Sequence, residues 1–188
     1  MKREYRRSEP LFSQCGLNCG LCPMYHIREE SHCPGCGGPG RPSCPILWCA
    51  GEHGGVEFCS LCPDWPCQRY VQEQADSFIP HRNARRDLET VKRVGLEHYR
   101  ETLGKKMEGL RFLLERCNDG RRKSLFCTAV NLLELEDVEA VIARLEEEFG
   151  PEYSPEEQKE RGSRAAELFW ERAQTRGVSL KLERQRKP

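Results

Sequence analysis

Thiol side chains are concentrated in one part of this chain of 188 residues, where 53 consecutive positions hold ten of the twelve cysteines. Several neighbouring pairs are separated by only two, three or four residues, a spacing that lets their sulfurs converge on one metal ion. The candidate ligands are Cys15, Cys19, Cys22, Cys33, Cys36, Cys44, Cys49, Cys59, Cys62 and Cys67. We therefore predict a metal-binding module that extends from Cys15 to Cys67.

Zinc is the first metal that this spacing suggests. Cys33-x-x-Cys36 and Cys59-x-x-Cys62 are separated by 22 residues, and two such pairs can hold one tetrahedral zinc ion with sulfurs at about 2.3 Å. A second ion would take four of the remaining six thiols, which are Cys15, Cys19, Cys22, Cys44, Cys49 and Cys67. About two zinc ions would use eight thiolates, so the surplus pair is left for a third site, a bridging role or a reactive position.

An iron-sulfur cluster is the alternative cofactor. The chain opens its cysteine stretch with Cys15-x-x-x-Cys19-x-x-Cys22, and four cysteines are followed directly by proline, namely Cys22, Cys33, Cys44 and Cys62. Cysteine followed by proline also occurs in the cysteine runs of bacterial ferredoxins. The intervals after Cys22 do not match a ferredoxin, so zinc remains the first prediction and iron-sulfur the second.

Three histidines and two outlying cysteines are weaker candidates. His26, His32 and His53 lie near the cysteines, but a histidine in a loop is more often solvated than bound to metal. Cys117 and Cys127 stand apart from the stretch. Cys127 fits a small buried residue better than a late metal ligand or a thiol activated by the basic residues before it.

Composition predicts the cellular location of the protein and which classes of binding partner are disfavoured. No apolar run has the length of a signal peptide or of a membrane span, so we predict a cytoplasmic protein without a membrane partner. In that reducing compartment, clustered thiols bind metal more often than they form disulfides. The net charge is zero, and residues 15–67 carry two arginines against five acidic side chains. This balance argues against nucleic acid, and it leaves a protein partner open.

The residues after the cysteine stretch predict mainly helices. The composition of 66–79 and 81–94 predicts two short helices separated by Pro80. Apolar residues recur every three or four positions in 95–117 and 138–149, which predicts two further helices. Ser154 and the following Pro-Glu-Glu form a capping signal for a last helix, whose buried face is predicted to be Ala166, Phe169, Trp170 and Ala173. Residues 124–133 fit a strand or a short helix, and residues 178–182 fit a closing strand.

We therefore predict an α+β fold that is predominantly helical. An irregular, metal-stapled, cysteine-rich N-terminal module would pack on a C-terminal helical half. The predicted divisions are a basic lead-in over 1–14, the cysteine module over 15–67 and a helical region over 68–188.

Two blocks of the sequence carry a family resemblance. The first block is Cys15-Gly-Leu-Asn-Cys-Gly-Leu-Cys-Pro-Met-Tyr25, then Cys33-Pro-Gly-Cys36, Cys44-x4-Cys49 and Cys59-Ser-Leu-Cys-Pro-Asp-Trp-Pro-Cys67. The second runs from Asn118-Asp-Gly-Arg-Arg-Lys-Ser-Leu-Phe-Cys127 to Asp137. Together they resemble a known prokaryotic cysteine-rich family, the domain of unknown function 3795, and the likeness covers about residues 12–182. Many relatives carry a further cysteine just before the position of Cys44, which this chain lacks. The resemblance implies metal binding and no particular reaction.

The sequence contains no recognisable catalytic constellation, so it leaves open whether the protein is an enzyme. We predict a binding or regulatory module that depends on metal. The alternative is an iron-sulfur protein that transfers electrons or serves as a component of a redox enzyme.

Overall fold

The computed structural model describes residues 7–27, 29–39, 44–71, 75–152 and 154–183. Within these ranges the chain forms seven α-helices and four short 3-10 helices. The α-helices are α1 (Pro45–Glu52), α2 (Gln68–Val71), α3 (Ala84–Val94), α4 (Leu96–Arg116), α5 (Lys123–Leu132), α6 (Leu135–Phe149) and α7 (Gln158–Thr175). The 3-10 helices are Cys19–Leu21, Glu29–Ser31, Cys59–Leu61 and Pro155–Glu157. None of the described helices combines the length and apolar character needed to cross a membrane.

The predicted α+β class is wrong, because the described residues form helices and no strand. Residues 124–133 lie largely in α5, where Phe126 to Leu132 are all buried. A helix that is buried on every side has no polar face, so its sequence lacks the helical period. The predicted strand over 178–182 is also wrong. The Val178 N–H bonds to the Ala173 carbonyl at 2.8 Å, and Gly177 has a φ of +64°, so these residues cap α7.

The helix predicted over 66–79 is correct only for its first residues. α2 covers Gln68–Val71, positions 72–74 lie outside the described residues, and residues 75–83 form bends and turns. Asp76 organises this segment: it is 7% exposed, and its carboxylate accepts hydrogen bonds from the His81 N–H and the Arg82 guanidinium. The other predicted helices match α3, α4, α6 and α7 closely.

Residues 1–100 with 183–188 make up one compact unit. Its buried side chains include Phe12, Leu21, Phe58 and Leu88. The Phe12 ring lies 5.2 Å from that of Phe58 and 4.6 Å from that of Tyr99, measured between centroids. The 3-10 helix at Cys59 packs against α3, so this core directly supports the cysteine stretch.

Residues 101–182 form a second unit, in which α7 packs against α5 and α6. Its core includes Phe126 and Phe169, whose ring centroids are 6.2 Å apart. Phe169 and Ala173 are buried as predicted. Trp170 was predicted to be buried but is 43% exposed, because Leu168 takes the inward position beside Phe169.

The most deeply buried cation among the described residues of this second unit is Arg161. Arg161 is 1% exposed, and its Nη2 donates to the carbonyl oxygens of Phe149 at 3.0 Å and Glu152 at 2.6 Å. The same nitrogen lies 3.1 Å from a Glu157 carboxylate oxygen. Arg161 therefore satisfies a carbonyl at the end of α6 that has no partner within the helix.

Candidate metal centre

Four cysteines of the predicted module line one cavity of about 30 Å³: Cys49, Cys59, Cys62 and Cys67. The wall also includes Gln14, His53, Trp65 and Tyr70. The lining therefore combines soft sulfur donors with an imidazole in a largely apolar setting. A space of this size holds about two water molecules or a metal ion.

Local backbone structure places these four sulfurs. Cys49 lies on α1, which begins with Pro45 at a favourable first position. Cys59 and Cys62 flank a 3-10 turn in which the Cys62 N–H bonds to the Cys59 carbonyl at 3.0 Å. Cys67 directly precedes α2. The four residues come from three different segments, and the fold brings them to one place.

Burial and neighbouring sulfurs oppose the ionisation of Cys59. Burial raises the pKa of Cys59, and the negative charges of Cys15, Cys67, Cys49 and Cys62 raise it further. Because the charges of four other cysteines act on Cys59, the five sulfurs share one electrostatic neighbourhood. Thiolates at this density are unfavourable by themselves, and a bound cation would reverse that balance.

Cys15 links this neighbourhood to two other cysteines. Burial raises the pKa of Cys15 to about 11, the hydrogen bond from Ser13 opposes the rise, and the charges of Cys36 and Cys44 add to it. The Ser13 hydroxyl lies 3.1 Å from the Cys15 sulfur. The Tyr70 hydroxyl donates to the Cys15 carbonyl at 3.1 Å, which ties this position to α2.

A mixed group of donors lies beside the cavity. Ligand atoms of His53, Cys62 and Asp64 all fall within 4.8 Å of one another. His53 Nε2 is 3.3 Å from a carboxylate oxygen of Asp64, and its Nδ1 lies 2.8 Å from the Cys49 carbonyl oxygen and 3.7 Å from the Cys49 sulfur. Sequence reasoning included His53 and missed Asp64. The signal was available, because Asp64 follows Cys62 by two residues and carboxylates are ordinary zinc ligands.

One zinc ion holds its ligands closely, because four sulfurs at about 2.3 Å from a tetrahedral ion lie roughly 3.8 Å from each other. Among the described residues, the group of His53, Cys62 and Asp64 meets a 4.8 Å limit between its donor atoms.

Gln14 is a buried polar residue in the lining of the cavity. Its Nε2 donates to the Val56 carbonyl at 3.0 Å, and its Oε1 accepts no hydrogen bond from the described residues. The sulfur and imidazole donors of the same lining are ordinary metal ligands, so the residues present fit a metal centre.

The remaining predicted ligands lie outside the cavity lining. Cys19 and Cys22 flank a second 3-10 turn, and Cys33 and Cys36 belong to a neighbouring loop. Cys44 is the N-cap residue of α1. The structure therefore brings together four of the ten predicted ligands in one cavity, with Cys15 in the same electrostatic neighbourhood.

The weaker sequence candidates have other surroundings. The Nε2 of His26 lies 2.8 Å from the Gly20 carbonyl oxygen, and His32 contacts the Tyr25 ring edge-on. Cys117 and Cys127 are 1% and 0% exposed, as expected for small buried residues. Burial raises the pKa of Cys117 to about 11, so this thiol is not an activated nucleophile.

These features define a cysteine-rich helical protein with a candidate thiolate metal site. Residues 11–72 match the family described as "Protein of unknown function (DUF3795)", which confirms the resemblance seen in the cysteine motifs. The match includes all ten predicted ligands and ends before the second block at 118–137. No curated protein and no solved structure matches the chain.

Proposed function

We propose that residues 15–67 bind metal through cysteine thiolates and that the protein works as a metal-dependent binding or regulatory module. The observation that carries the proposal is the cavity lined by Cys49, Cys59, Cys62 and Cys67. The imidazole of His53 in the same lining supports it, because histidine nitrogen and cysteine sulfur commonly bind one metal together.

Zinc, about two ions per chain, is the metal that the sequence predicts first. In its favour, the Cys59–Cys62 turn is the knuckle on which many structural zinc sites are built, and His53 and Asp64 add nitrogen and oxygen donors nearby. For a closed four-sulfur zinc site, the thiolates would have to approach one another to about 3.8 Å. Zinc would then supply folding free energy to the module.

An iron-sulfur cluster is the second candidate. The cavity brings four cysteines together, and four thiolates are the usual ligand set of a cluster. The aromatic rings of Trp65 and Tyr70 in the wall would limit access of water to it. This reading implies electron transfer or a part in a redox enzyme.

Metal analysis of protein purified without oxygen tests the proposal. Zinc, iron and acid-labile sulfide are measured per chain, together with the visible spectrum. Zinc with a colourless sample supports the first candidate; iron, sulfide and a band that bleaches with dithionite support the second. The Cys62→Ser variant should contain less metal than the wild type, whereas Cys117→Ser, with the same chemical change in a buried residue outside the module, should keep the full content. A wild-type protein without either metal would end the proposal.

A further inference from the structure

Two segments of the cysteine stretch repeat one pattern, Cys-x-Leu-Cys-Pro-x-aromatic. We name the segment 19–25 turn 1 and the segment 59–65 turn 2. Turn 1 reads Cys-Gly-Leu-Cys-Pro-Met-Tyr and turn 2 reads Cys-Ser-Leu-Cys-Pro-Asp-Trp. Each begins with a 3-10 helix of three residues. Four of the seven positions are identical in the two segments.

The two turns also have the same backbone hydrogen bonds. The N–H of the second cysteine bonds to the carbonyl of the first at 3.1 Å in turn 1 and 3.0 Å in turn 2. The N–H of the aromatic residue bonds to the carbonyl of the second cysteine at 2.9 Å and 3.2 Å. Cys22 has φ −80° and ψ 135°, and Cys62 has φ −74° and ψ 138°. Both turns therefore present their cysteine pairs from the same backbone frame.

Each turn has a different second pair of cysteines near it. Turn 2 shares its cavity with Cys49 and Cys67. Turn 1 is joined to the Cys33-Pro-Gly-Cys36 loop, because the Cys33 N–H donates to the carbonyl of Met24 at 2.9 Å. Cys33 and Cys36 are not among the residues that line the cavity.

A second connection holds the Cys33-to-Cys36 loop close to turn 1. The Cys36 N–H bonds to the Pro10 carbonyl at 2.8 Å, and the Gly20 N–H of turn 1 bonds to the next carbonyl, that of Leu11, at 2.9 Å. Gly35 has a φ of +87°, and a Cβ there would collide with the Pro10 carbonyl. Glycine at this position is therefore needed for the approach.

We propose that the chain holds two separate thiolate metal centres, one built on each turn. Centre 1 takes Cys19, Cys22, Cys33 and Cys36, and centre 2 takes Cys49, Cys59, Cys62 and Cys67. This inference rests on the proposed metal-binding function and adds the division of its ligands. It replaces the grouping predicted from sequence, which joined Cys33 and Cys36 to Cys59 and Cys62. Cys15 and Cys44 are the two surplus thiols.

The two centres differ in exposure. The leucine of turn 1, Leu21, is 0% exposed, whereas the leucine of turn 2, Leu61, is 55% exposed. The following prolines differ likewise, because Pro23 is buried and Pro63 is exposed. A chelator should therefore remove metal from centre 2 before centre 1.

Paired substitutions in the full chain test the division. Cys19→Ser/Cys22→Ser and Cys59→Ser/Cys62→Ser should each retain about half of the wild-type zinc or iron content, measured on anaerobically purified protein with a wild-type circular dichroism spectrum. Cys44→Ser is the control and should keep full metal content, because Cys44 is an N-cap residue and serine is favourable there. The division into two centres would be overturned by any of three results. These are full metal content in Cys19→Ser/Cys22→Ser, complete loss of metal in either folded pair variant, or loss of metal in Cys44→Ser.

A second measurement uses the unmodified protein and does not depend on whether variants fold. Metal is withdrawn with a chelator to half of its starting content, the exposed thiols are alkylated, and the labelled positions are identified by mass spectrometry. Labelling should fall on Cys49, Cys59, Cys62 and Cys67 and spare Cys19, Cys22, Cys33 and Cys36. Equal labelling of both sets of cysteines would overturn the division into two centres and leave the proposed metal binding intact. Wild-type protein without metal would overturn both the division and the proposed function.

Discussion

A buried polar network connects turn 1 to the segment after the module. Asn18, directly before Cys19, donates from Nδ2 to an Asp87 carboxylate oxygen at 2.9 Å, and its Oδ1 accepts from the Tyr99 hydroxyl at 2.9 Å. Asn83 donates to the same Asp87 oxygen at 2.7 Å. Asn18 and Asp87 are 3% and 6% exposed. Replacing Asn18 with alanine therefore removes two hydrogen bonds at a place with little access to water.

We expect Asn18→Ala to lower the free energy of unfolding by about 3 kcal/mol, since a bond to a charged group contributes about 1.5–3 and a neutral one about 0.5–1.5 kcal/mol. The Tyr99 hydroxyl remains a donor, because burial and then the charge of Asp87 raise the pKa of Tyr99 far above its usual value. Tyr99→Phe removes only the neutral bond and keeps the ring that contacts Phe12, so it should cost about 1 kcal/mol.

Chemical denaturation followed by circular dichroism measures both variants at matched metal content, because bound metal adds to apparent stability. The double variant Asn18→Ala/Tyr99→Phe should be hardly less stable than Asn18→Ala alone, because both changes remove the same hydrogen bond of Tyr99. The difference from additive losses then corresponds to a coupling energy of about 1 kcal/mol. A loss below about 1 kcal/mol for Asn18→Ala, or strictly additive losses, would refute the role assigned to this network.

Two further predictions concern the second unit. Gly162→Ala should destabilise the protein by about 2 kcal/mol because the new Cβ would collide with the Cys117 carbonyl. Gly104→Ala is the control: it has open space around it and should stabilise the protein by up to about 1 kcal/mol. Thermal unfolding compares the two variants, and equal melting temperatures would contradict the close contact between Gly162 and Cys117. Arg161→Met should cost about 3 kcal/mol because it leaves buried carbonyls unpaired. Arg144→Met is the control and should change stability little, because that side chain is exposed; similar denaturation midpoints for the two variants would disprove the capping role.

Helices were predictable where the sequence alternates between apolar and polar faces. α4 and α6 end as predicted, the second before Gly150, which has a φ of +77° that few other residues adopt. The sequence of α5 shows no such alternation of apolar and polar residues, because residues 126–132 of this helix are all buried. The segment 75–83 was mistaken for helix because Asp76 holds it through hydrogen bonds that include the backbone N–H of Glu183, more than a hundred positions away. Local pattern carries no information on such a partner.

The candidate site was predictable in its residue types and only partly in its geometry. Spacing identified the ten cysteines, and the repeated leucine and proline around Cys19 and Cys59 were present in the sequence. Spacing could not decide which pairs share a centre, because the deciding contacts are backbone hydrogen bonds. Asp64 was missed because the search considered sulfur and imidazole donors alone.

Residues 10–14 connect both cysteine turns to the apolar core of their unit. Three of their carbonyl groups accept the N–H of Cys36, of Gly20 in turn 1 and of Cys59 in turn 2. Phe12, in the middle of the same segment, is 2% exposed and packs against Phe58. One segment of backbone thus contacts both cysteine turns and contributes a side chain to the apolar core. A change in either of the two proposed metal centres would therefore act on the same few residues that hold the core together.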